Sequence, residues 1–290
     1  MTKFNKSISP LRQRMLDDMA MRKLHPATQK TYLRAVIKLS QFLKRSPATA
    51  TADELRDFQL RMANDGISPG TINATITGIR FFFETTIDSP ERPRKMRHVH
   101  EPRKLPEILS VEEVTKILQS AGSIKYQAAL SVGYGAGLRA SEIIHLKIVD
   151  IDSERMILRV EQGKGGRDRH AMLSPELLTM LRTWYRAGQH ERKMLPGGWL
   201  FPGQNPVNPL SVRQLRRAFI RARDTAGITK KVSLHALRHA FATHLVEQHE
   251  DIRVIQVLLG HRKLESTARY SHVAANRLRE VKSPLAYLKL

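Results

Sequence analysis

The sequence predicts a two-domain protein that is mainly α-helical with a small antiparallel β-sheet. Its 290 residues exceed what one ordinary hydrophobic core needs. Apolar residues recur at helical spacing along most of the chain, and strand-like alternation is confined to 147–173. A basic, proline-containing stretch separates the two parts. We therefore expect a helical domain over 1–88, an interdomain linker over 89–104 and a larger α+β domain over 105–290.

The first domain carries the signals of four helices, which begin near Ser9, Thr28, Thr51 and Ser68. Prolines stand at the starts or just beyond the ends of these helices, where they are tolerated. Thr51 and Glu54 have the spacing of a capping box. Each helix is short and basic, so one face must be buried against its neighbours and the other is free to meet phosphate.

The predicted linker, 89–104, holds three prolines and six Lys or Arg without apolar periodicity. A charge run of this kind is commonly only a solvated loop. Here it joins two basic domains, which favours a stretch that crosses a DNA backbone. Arg94, Lys95 and Arg97 are its candidate DNA-binding residues.

The second domain begins at a capping box formed by Ser110 and Glu113. Strand-like alternation with turn residues between the segments predicts an antiparallel sheet. Helical spacing with glycine and proline between the segments predicts the remaining elements. The expected strands are 147–151, 155–161 and 167–173, and the expected helices lie near 111–120, 123–135, 174–188, 210–226, 234–248, 251–259 and 264–270.

The charge balance points to a polyanionic partner. Lys and Arg number 49 against 27 Asp and Glu, which gives a formal charge of +22, and the excess lies on both sides of residue 100. Such an imbalance repels itself unless a polyanion is bound, and nucleic acid is the leading candidate. An anionic membrane surface is the lesser alternative, because no segment pairs a basic face with a bulky aromatic one.

The composition also excludes several classes of protein. The chain has no cysteine, so disulfides, thiolate catalysis and Cys-ligated zinc are excluded. No signal peptide and no apolar window of membrane-spanning length is present. These features favour a soluble protein in a reducing compartment.

His235 and Arg238 lie three residues apart on one predicted helix, so both side chains can reach a single ligand. His239 lies one turn from His235, and such a pair can bind zinc. Position 236 is Ala where a protease-type zinc site has Glu, and no third ligand stands nearby. We therefore expect no metal here.

Other candidates follow glycine-rich turns. Arg139 follows such a turn at the start of a predicted helix, where backbone amides favour an anion, although Arg139 and Glu142 have the spacing of an ordinary surface pair. Lys164 lies in a glycine-flanked hairpin tip, which alone indicates only a soluble turn. His261 follows a helix-ending glycine, and Tyr270 has the setting of a half-buried packing residue.

Taken together, two Arg, one Lys, two His and one Tyr suit phosphoryl transfer to a tyrosine without a metal or other cofactor, and the sequence offers no acidic cluster for two metals. In order and local sequence, GLRASE, GKGGRDR, SLHALRHAFATHL, LLGH and the late Tyr resemble the tyrosine recombinase (phage integrase) family. The resemblance covers nearly the whole chain. It implies a SAM-like, core-binding domain followed by the family's catalytic domain.

The resemblance also implies roles. Tyr270 is the expected nucleophile, which leaves a 3′-phosphotyrosyl link and a free 5′-hydroxyl. Arg139 and Arg238 would hold the non-bridging oxygens, with Glu142 orienting these cations. His261 would donate a hydrogen bond to the same oxygens. Lys164 would act as the general acid for the leaving 5′-oxygen, and His235 would accept the proton of the tyrosine.

Within the family the layout is closer to Xer-like, integron and simple transposon recombinases than to lambda-type integrases. The resemblance also implies a prokaryotic cytoplasmic protein associated with the nucleoid. The expected partner is double-stranded DNA bound by a tetramer on two sites, with any accessory protein unidentified. Two alternatives stay open: a type IB topoisomerase that relaxes DNA, and a non-catalytic DNA-binding regulator. Base contacts are expected from 68–86 and 210–225. Most of the arginines in the latter segment are expected to contact only phosphate, and these are Arg213, Arg216, Arg217, Arg221 and Arg223.

Overall fold

The structure is a computed structural model that describes residues 9–102, 106–161 and 168–260. These residues fall into two compact units that divide after residue 104. Within the described ranges the units contain eleven α-helices and one three-stranded antiparallel sheet. The predicted fold class, mainly α with a small antiparallel sheet, is confirmed.

The first unit is the predicted four-helix domain. Ser9 caps its first helix by accepting a hydrogen bond from the Arg12 amide, and Thr51 and Glu54 form the expected capping box. Its buried core includes Met15, Leu39 and Ile76. The helices are α1 (Pro10–Met21), α2 (Pro26–Leu43), α3 (Ala52–Asn64) and α4 (Pro69–Phe81), and a π-helical turn, Phe82–Thr86, continues α4.

A glycine sets the distance between α2 and α4. A Cβ at Gly78 would lie 3.0 Å from both the Tyr32 Cα and the Ala35 Cβ. The two helices therefore pack at a separation that a larger residue would disturb.

The stretch that we expected to be a linker packs on this first unit over its described part, 89–102. Met96 is fully buried, and Arg80 donates a hydrogen bond to its carbonyl at 2.9 Å. Asn73 and the backbone of Val99 exchange two hydrogen bonds, at 3.0 and 2.8 Å. The apolar side chains of Pro93, Met96 and Val99 and these bonds hold the segment in place, and Arg92–Lys95 forms a 3₁₀ helix within it.

In the described part of the second unit one central helix, Ile124–Gly135, packs against five other helices. The three strands of the sheet are hydrogen-bonded in chain order, and Val160 pairs with Arg169 across the last two. The helices are α5 (Val111–Gln119), α6 (Ile124–Gly135), α7 (Ala140–Ile144), α8 (Pro175–His190), α9 (Val212–Thr225), α10 (His235–Glu247) and α11 (Ile252–Leu259). The strands are β1 (Ile151–Asp152), β2 (Ile157–Val160) and β3 (Arg169–Met172).

The strand predicted over 147–151 is wrong except at Ile151. A 3₁₀ turn covers Ile148–Asp150, because the Asp150 carboxylate accepts a hydrogen bond from the Lys147 amide at 2.8 Å and closes the chain. The helix predicted over 264–270 lies outside the described residues.

Small residues in α6 bring α7 and α10 to the same side of the core. A Cβ at Gly133 would lie 3.3 Å from Ile143 of α7 and 3.6 Å from Leu237 of α10. This packing places the start of α7 beside the first turns of α10. Within the described ranges no helix is both long and apolar enough to span a bilayer.

Candidate active site

In the second unit, three arginines lie around one buried carboxylate. Glu142 Oε1 accepts a hydrogen bond from Arg139 Nη1 at 2.7 Å, and its Oε2 accepts from the Arg139 amide at 2.8 Å and from Arg169 Nη2 at 2.9 Å. Arg238 Nη1 lies 3.8 Å from the same Oε2. The side chain of Glu142 is only 4% exposed, so these contacts are shielded from water.

A glycine turn before α7 points Arg139 at this carboxylate. Gly137 has a φ of +62°, and a Cβ there would lie 2.6 Å from the ring of Phe241. Only glycine meets both conditions without strain or displacement. Arg139 then becomes the N-cap of α7, and Glu142 at the third helical position reaches back to it.

Arg238, in the first turn of α10, has a side chain that is 1% exposed. Its Nη1 donates to the Gly137 carbonyl at 2.5 Å, and its Nη2 donates to the Leu259 carbonyl at 2.6 Å. The side chain thus joins the turn before α7 to the end of α11.

The cluster keeps its carboxylate ionised. Burial by itself raises the pKa of Glu142, but the charge of Arg169 and the hydrogen bond from the Arg139 amide outweigh it, so the pKa lies below its ordinary value. One negative charge among three guanidinium groups leaves excess positive charge. This arrangement suits an anion such as a phosphate.

The structure brings Arg139, Glu142 and Arg238 together, and sequence reasoning missed their neighbour, Arg169. Its side chain is 13% exposed, and it binds both Glu142 and the Leu258 carbonyl of α11. The signal in the sequence was its position as the last residue of the GKGGRDR motif, within the strand predicted over 167–173.

His235 is the first residue of α10, and its side chain is exposed. Its ring meets the ring of His239 edge to face, with centroids 4.5 Å apart. In the part of the chain that the structure describes, no three His, Cys, Asp or Glu residues gather as a metal site. His235 has the exposure that a proton acceptor for an incoming group needs.

Lys164, His261 and Tyr270 lie outside the described residues. The structure does give the elements next to two of them in sequence. Lys164 belongs to the segment that joins β2 to β3, and His261 directly follows Gly260, which ends α11 with a φ of +61°.

The arginines of α9 form a candidate nucleic-acid interface. Leu215, Phe219 and Ala222 bury one face of the helix, and the opposite face presents four exposed arginines at i, i+3, i+4 and i+8. These are the expected residues Arg213, Arg216, Arg217 and Arg221. Two of them line a surface cavity of about 450 Å³ with the N-terminal turn of α6, which adds the positive end of a helix dipole.

The candidate DNA-binding residues of the segment predicted to be a linker lie on the first unit. Arg94, Lys95 and Arg97 are all exposed. Lys95 forms an ion pair with Asp53 at 2.5 Å, and the Arg97 amide donates to Gln59 at 3.0 Å. The backbone of this basic segment is therefore held while the side chains of Arg94 and Arg97 face solvent.

The helix from which we expected base contacts, α4, is largely an internal helix. Ile72, Ile76 and Ile79 are buried, and Asn73 is used to hold Val99. Exposed side chains such as Thr77 leave it a narrow polar face for any partner.

Comparison with known proteins gives two matches to family models. The phage integrase family matches residues 107–277, and the phage integrase N-terminal SAM-like domain matches residues 11–91. The chain is 41% identical over 283 residues to a Sinorhizobium fredii protein named "Putative integrase/recombinase", covering 97% of this chain and 90% of that one. It is 35% identical over 244 residues to tyrosine recombinase XerA of Pyrococcus furiosus, covering 83% of each.

Solved structures have the same fold. A crystal structure of XerA recombinase is 26% identical, with a TM-score of 0.55, and the match covers 93% of this chain and 95% of that one. The Tn1549 transposon integrase in complex with circular intermediate DNA has a TM-score of 0.72 at 20% identity, covering 93% and 99%. The latter likeness concerns the fold alone.

Proposed function

Since this chain belongs to the phage integrase family, which is a family of tyrosine recombinases, we propose that it cuts and rejoins DNA strands through a 3′-phosphotyrosyl intermediate. The supporting observation is the buried cluster in which Arg139 and Arg238 share one carboxylate. A single carboxylate cannot balance three guanidinium groups, and a scissile phosphate supplies the missing negative charge.

The proposed reaction exchanges one phosphodiester for another. The phenolic oxygen of Tyr270 forms a bond to phosphorus while the bond from phosphorus to the 5′-oxygen breaks. His235 accepts the phenolic proton, and Lys164 donates a proton to the leaving 5′-oxygen. The phosphotyrosyl ester conserves the energy of the broken bond, so rejoining by a 5′-hydroxyl requires no ATP.

Arg139 and Arg238 bind the non-bridging oxygens, where negative charge builds up in the pentavalent state, and His261 donates to the same oxygens. Glu142 accepts one hydrogen bond from the guanidinium group of Arg139 and one from its backbone amide, and its Oε2 lies 3.8 Å from the guanidinium group of Arg238. In this proposal side-chain cations do the work that Mg²⁺ does in two-metal enzymes, so the reaction proceeds without a metal ion.

The proposed substrate is double-stranded DNA. The formal charge of +22 and the arginine face of α9 favour it, with Arg94, Lys95 and Arg97 as further contacts. We propose that four copies act on two DNA sites, at the nucleoid of a prokaryotic cell, to integrate, excise or resolve a mobile element. The relatives named integrase and Xer recombinase support this range of roles.

The test begins with DNA fragments that the protein retains from its host genome. A fragment that is nicked next to the cleavage point traps the intermediate, because the short 5′ product diffuses away. We expect a covalent adduct on the 3′ side in EDTA without ATP. No adduct on any retained fragment, or an adduct that requires added Mg²⁺, would contradict the proposal.

A plasmid assay separates recombination from relaxation. Two copies of the retained sequence on one supercoiled plasmid should yield deletion or inversion products. A type IB topoisomerase would instead relax plasmids with or without these sequences, and a non-catalytic regulator would leave the plasmid unchanged.

A further inference from the structure

Arg169 bridges three parts of the candidate site, yet the reaction proposed above gives it no role. It begins β3, and its Nη2 donates to Glu142 at 2.9 Å. Its Nη1 donates to the Leu258 carbonyl at 2.9 Å. One planar guanidinium group thus fixes a distance between the carboxylate of α7 and the end of α11.

The second anchor of Arg169 lies where a cation is favourable. The Leu258 carbonyl belongs to the last turn of α11, where carbonyls lack helical partners and the helix dipole is negative. Arg238 binds the next carbonyl, that of Leu259, at 2.6 Å. Two arginines therefore hold consecutive carbonyls of the same helix end.

The Arg169 side chain passes so close to Gly260 that no larger residue fits at position 260. A Cβ at this position would lie 2.6 Å from the Arg169 Cδ and 2.8 Å from its Nε. The φ of +61° also favours glycine. The Arg169 side chain, from its Cδ to its guanidinium group, therefore lies close to the backbone at the end of α11.

We propose that Arg169 is a positioning residue, which sets the phosphate-binding geometry of Arg139 and Arg238 by holding Glu142 and the end of α11 at a fixed separation. The proposal rests on the function proposed above. Arg139 depends on Glu142 for its orientation, and Arg238 depends on the carbonyls of Gly137 and Leu259. Arg169 contacts the Glu142 carboxylate and the end of α11, so its loss misplaces both guanidinium groups together.

The test compares Arg169→Lys and Arg169→Met with Arg159→Met in single-turnover cleavage of the nicked fragment. Lysine keeps the charge but cannot donate hydrogen bonds in two fixed directions, and methionine donates none. Both Arg169 variants should therefore cleave about 10–100-fold more slowly than wild type. Arg159 is the matched control, because it is a 53% exposed arginine on the neighbouring strand with contacts no shorter than 3.7 Å. Its variant should cleave at the wild-type rate.

A modified substrate separates positioning from a general loss of structure. Replacing one non-bridging oxygen of the scissile phosphate by a methyl group makes the phosphate neutral and reduces the need for correctly placed cations. The Arg169→Lys defect should shrink at least tenfold on this substrate, as the defect of Arg139→Ala should. An equal defect on both substrates would overturn the proposal, because misfolding slows both alike.

A double variant tests the route through the carboxylate. Because Arg169 acts partly through Glu142, the defect of Arg169→Lys combined with Glu142→Gln should be at least about threefold smaller than the product of the two single defects. Multiplied defects would overturn the proposal. Normal cleavage by Arg169→Met would overturn it too, whereas a wild-type protein that forms no adduct would refute the proposed function itself.

Discussion

Replacing Glu142 by Gln is expected to destabilise the second unit strongly. The side chain is 4% exposed and contacts guanidinium groups at 2.7 and 2.9 Å. Removing one partner of a buried ion pair costs about 3–5 kcal/mol, and the retained amide oxygen favours the lower end, about 3 kcal/mol. For a unit of this size that corresponds to a Tm lower by about 6–12 °C.

The loss should depend on pH with a definite sign. Burial raises the pKa of Glu142, but the charge of Arg169 and the Arg139 amide outweigh it and leave the pKa below the ordinary value of 4.5. The carboxylate therefore contributes its full stability above that ordinary value, and the contribution is lost as the pH falls through the lower folded-state pKa. The difference in the free energy of unfolding between wild type and Glu142→Gln, called the stability gap below, should be constant from about pH 6 to 8 and become smaller on acidification.

Urea unfolding at a series of pH values measures this stability gap. Glu191→Gln is the control, because Glu191 is an exposed partner of Lys193 and its loss should stay within about 0.5 kcal/mol. A Glu142→Gln stability gap below about 1 kcal/mol, or one that widens in acid, would refute the reasoning that the cluster depends on an ionised carboxylate.

Three further predictions follow from the same geometry. Gly260→Ala should destabilise more than Gly227→Ala in thermal unfolding, since both have a positive φ but only the first Cβ meets another side chain; equal losses would contradict the close contact. Lys164→Ala should regain most of its cleavage rate on a fragment whose leaving 5′-oxygen is replaced by sulfur, which needs no general acid; continued slow cleavage would assign Lys164 another role. DNA affinity should fall about a thousandfold from low to moderate salt. Arg217→Ala should reduce the steepness of log affinity against log salt concentration by about one, whereas Arg182→Ala on α8 should leave it unchanged. Equal slopes for the two variants would show that α9 is not part of the interface.

Local signals predicted most of the fold because they act over a few residues. The capping boxes at Thr51 and Ser110 form as expected, since the bonds they need lie within one helical turn. The segment 147–151 was misread because the Asp150 carboxylate closes a turn on the Lys147 amide, and such a bond competes with strand pairing.

Other features depend on contacts between distant residues. Met96 lies between charged residues in the sequence, so its sequence neighbours give no sign that it is buried in the core of the first unit. Arg169 meets a carboxylate 27 residues earlier and a carbonyl 89 residues later. The family resemblance was confirmed, yet the order of its motifs does not reveal which cation supports which.

The central claim is that a tyrosine near the carboxyl end takes the DNA strand. Digesting the covalent adduct and sequencing the nucleotide-linked peptide by mass spectrometry measures this directly. The account predicts a nucleotide on Tyr270, adduct formation lost in Tyr270→Phe and adduct formation retained in Tyr287→Phe. A nucleotide on another side chain, or an adduct that survives Tyr270→Phe, would contradict it.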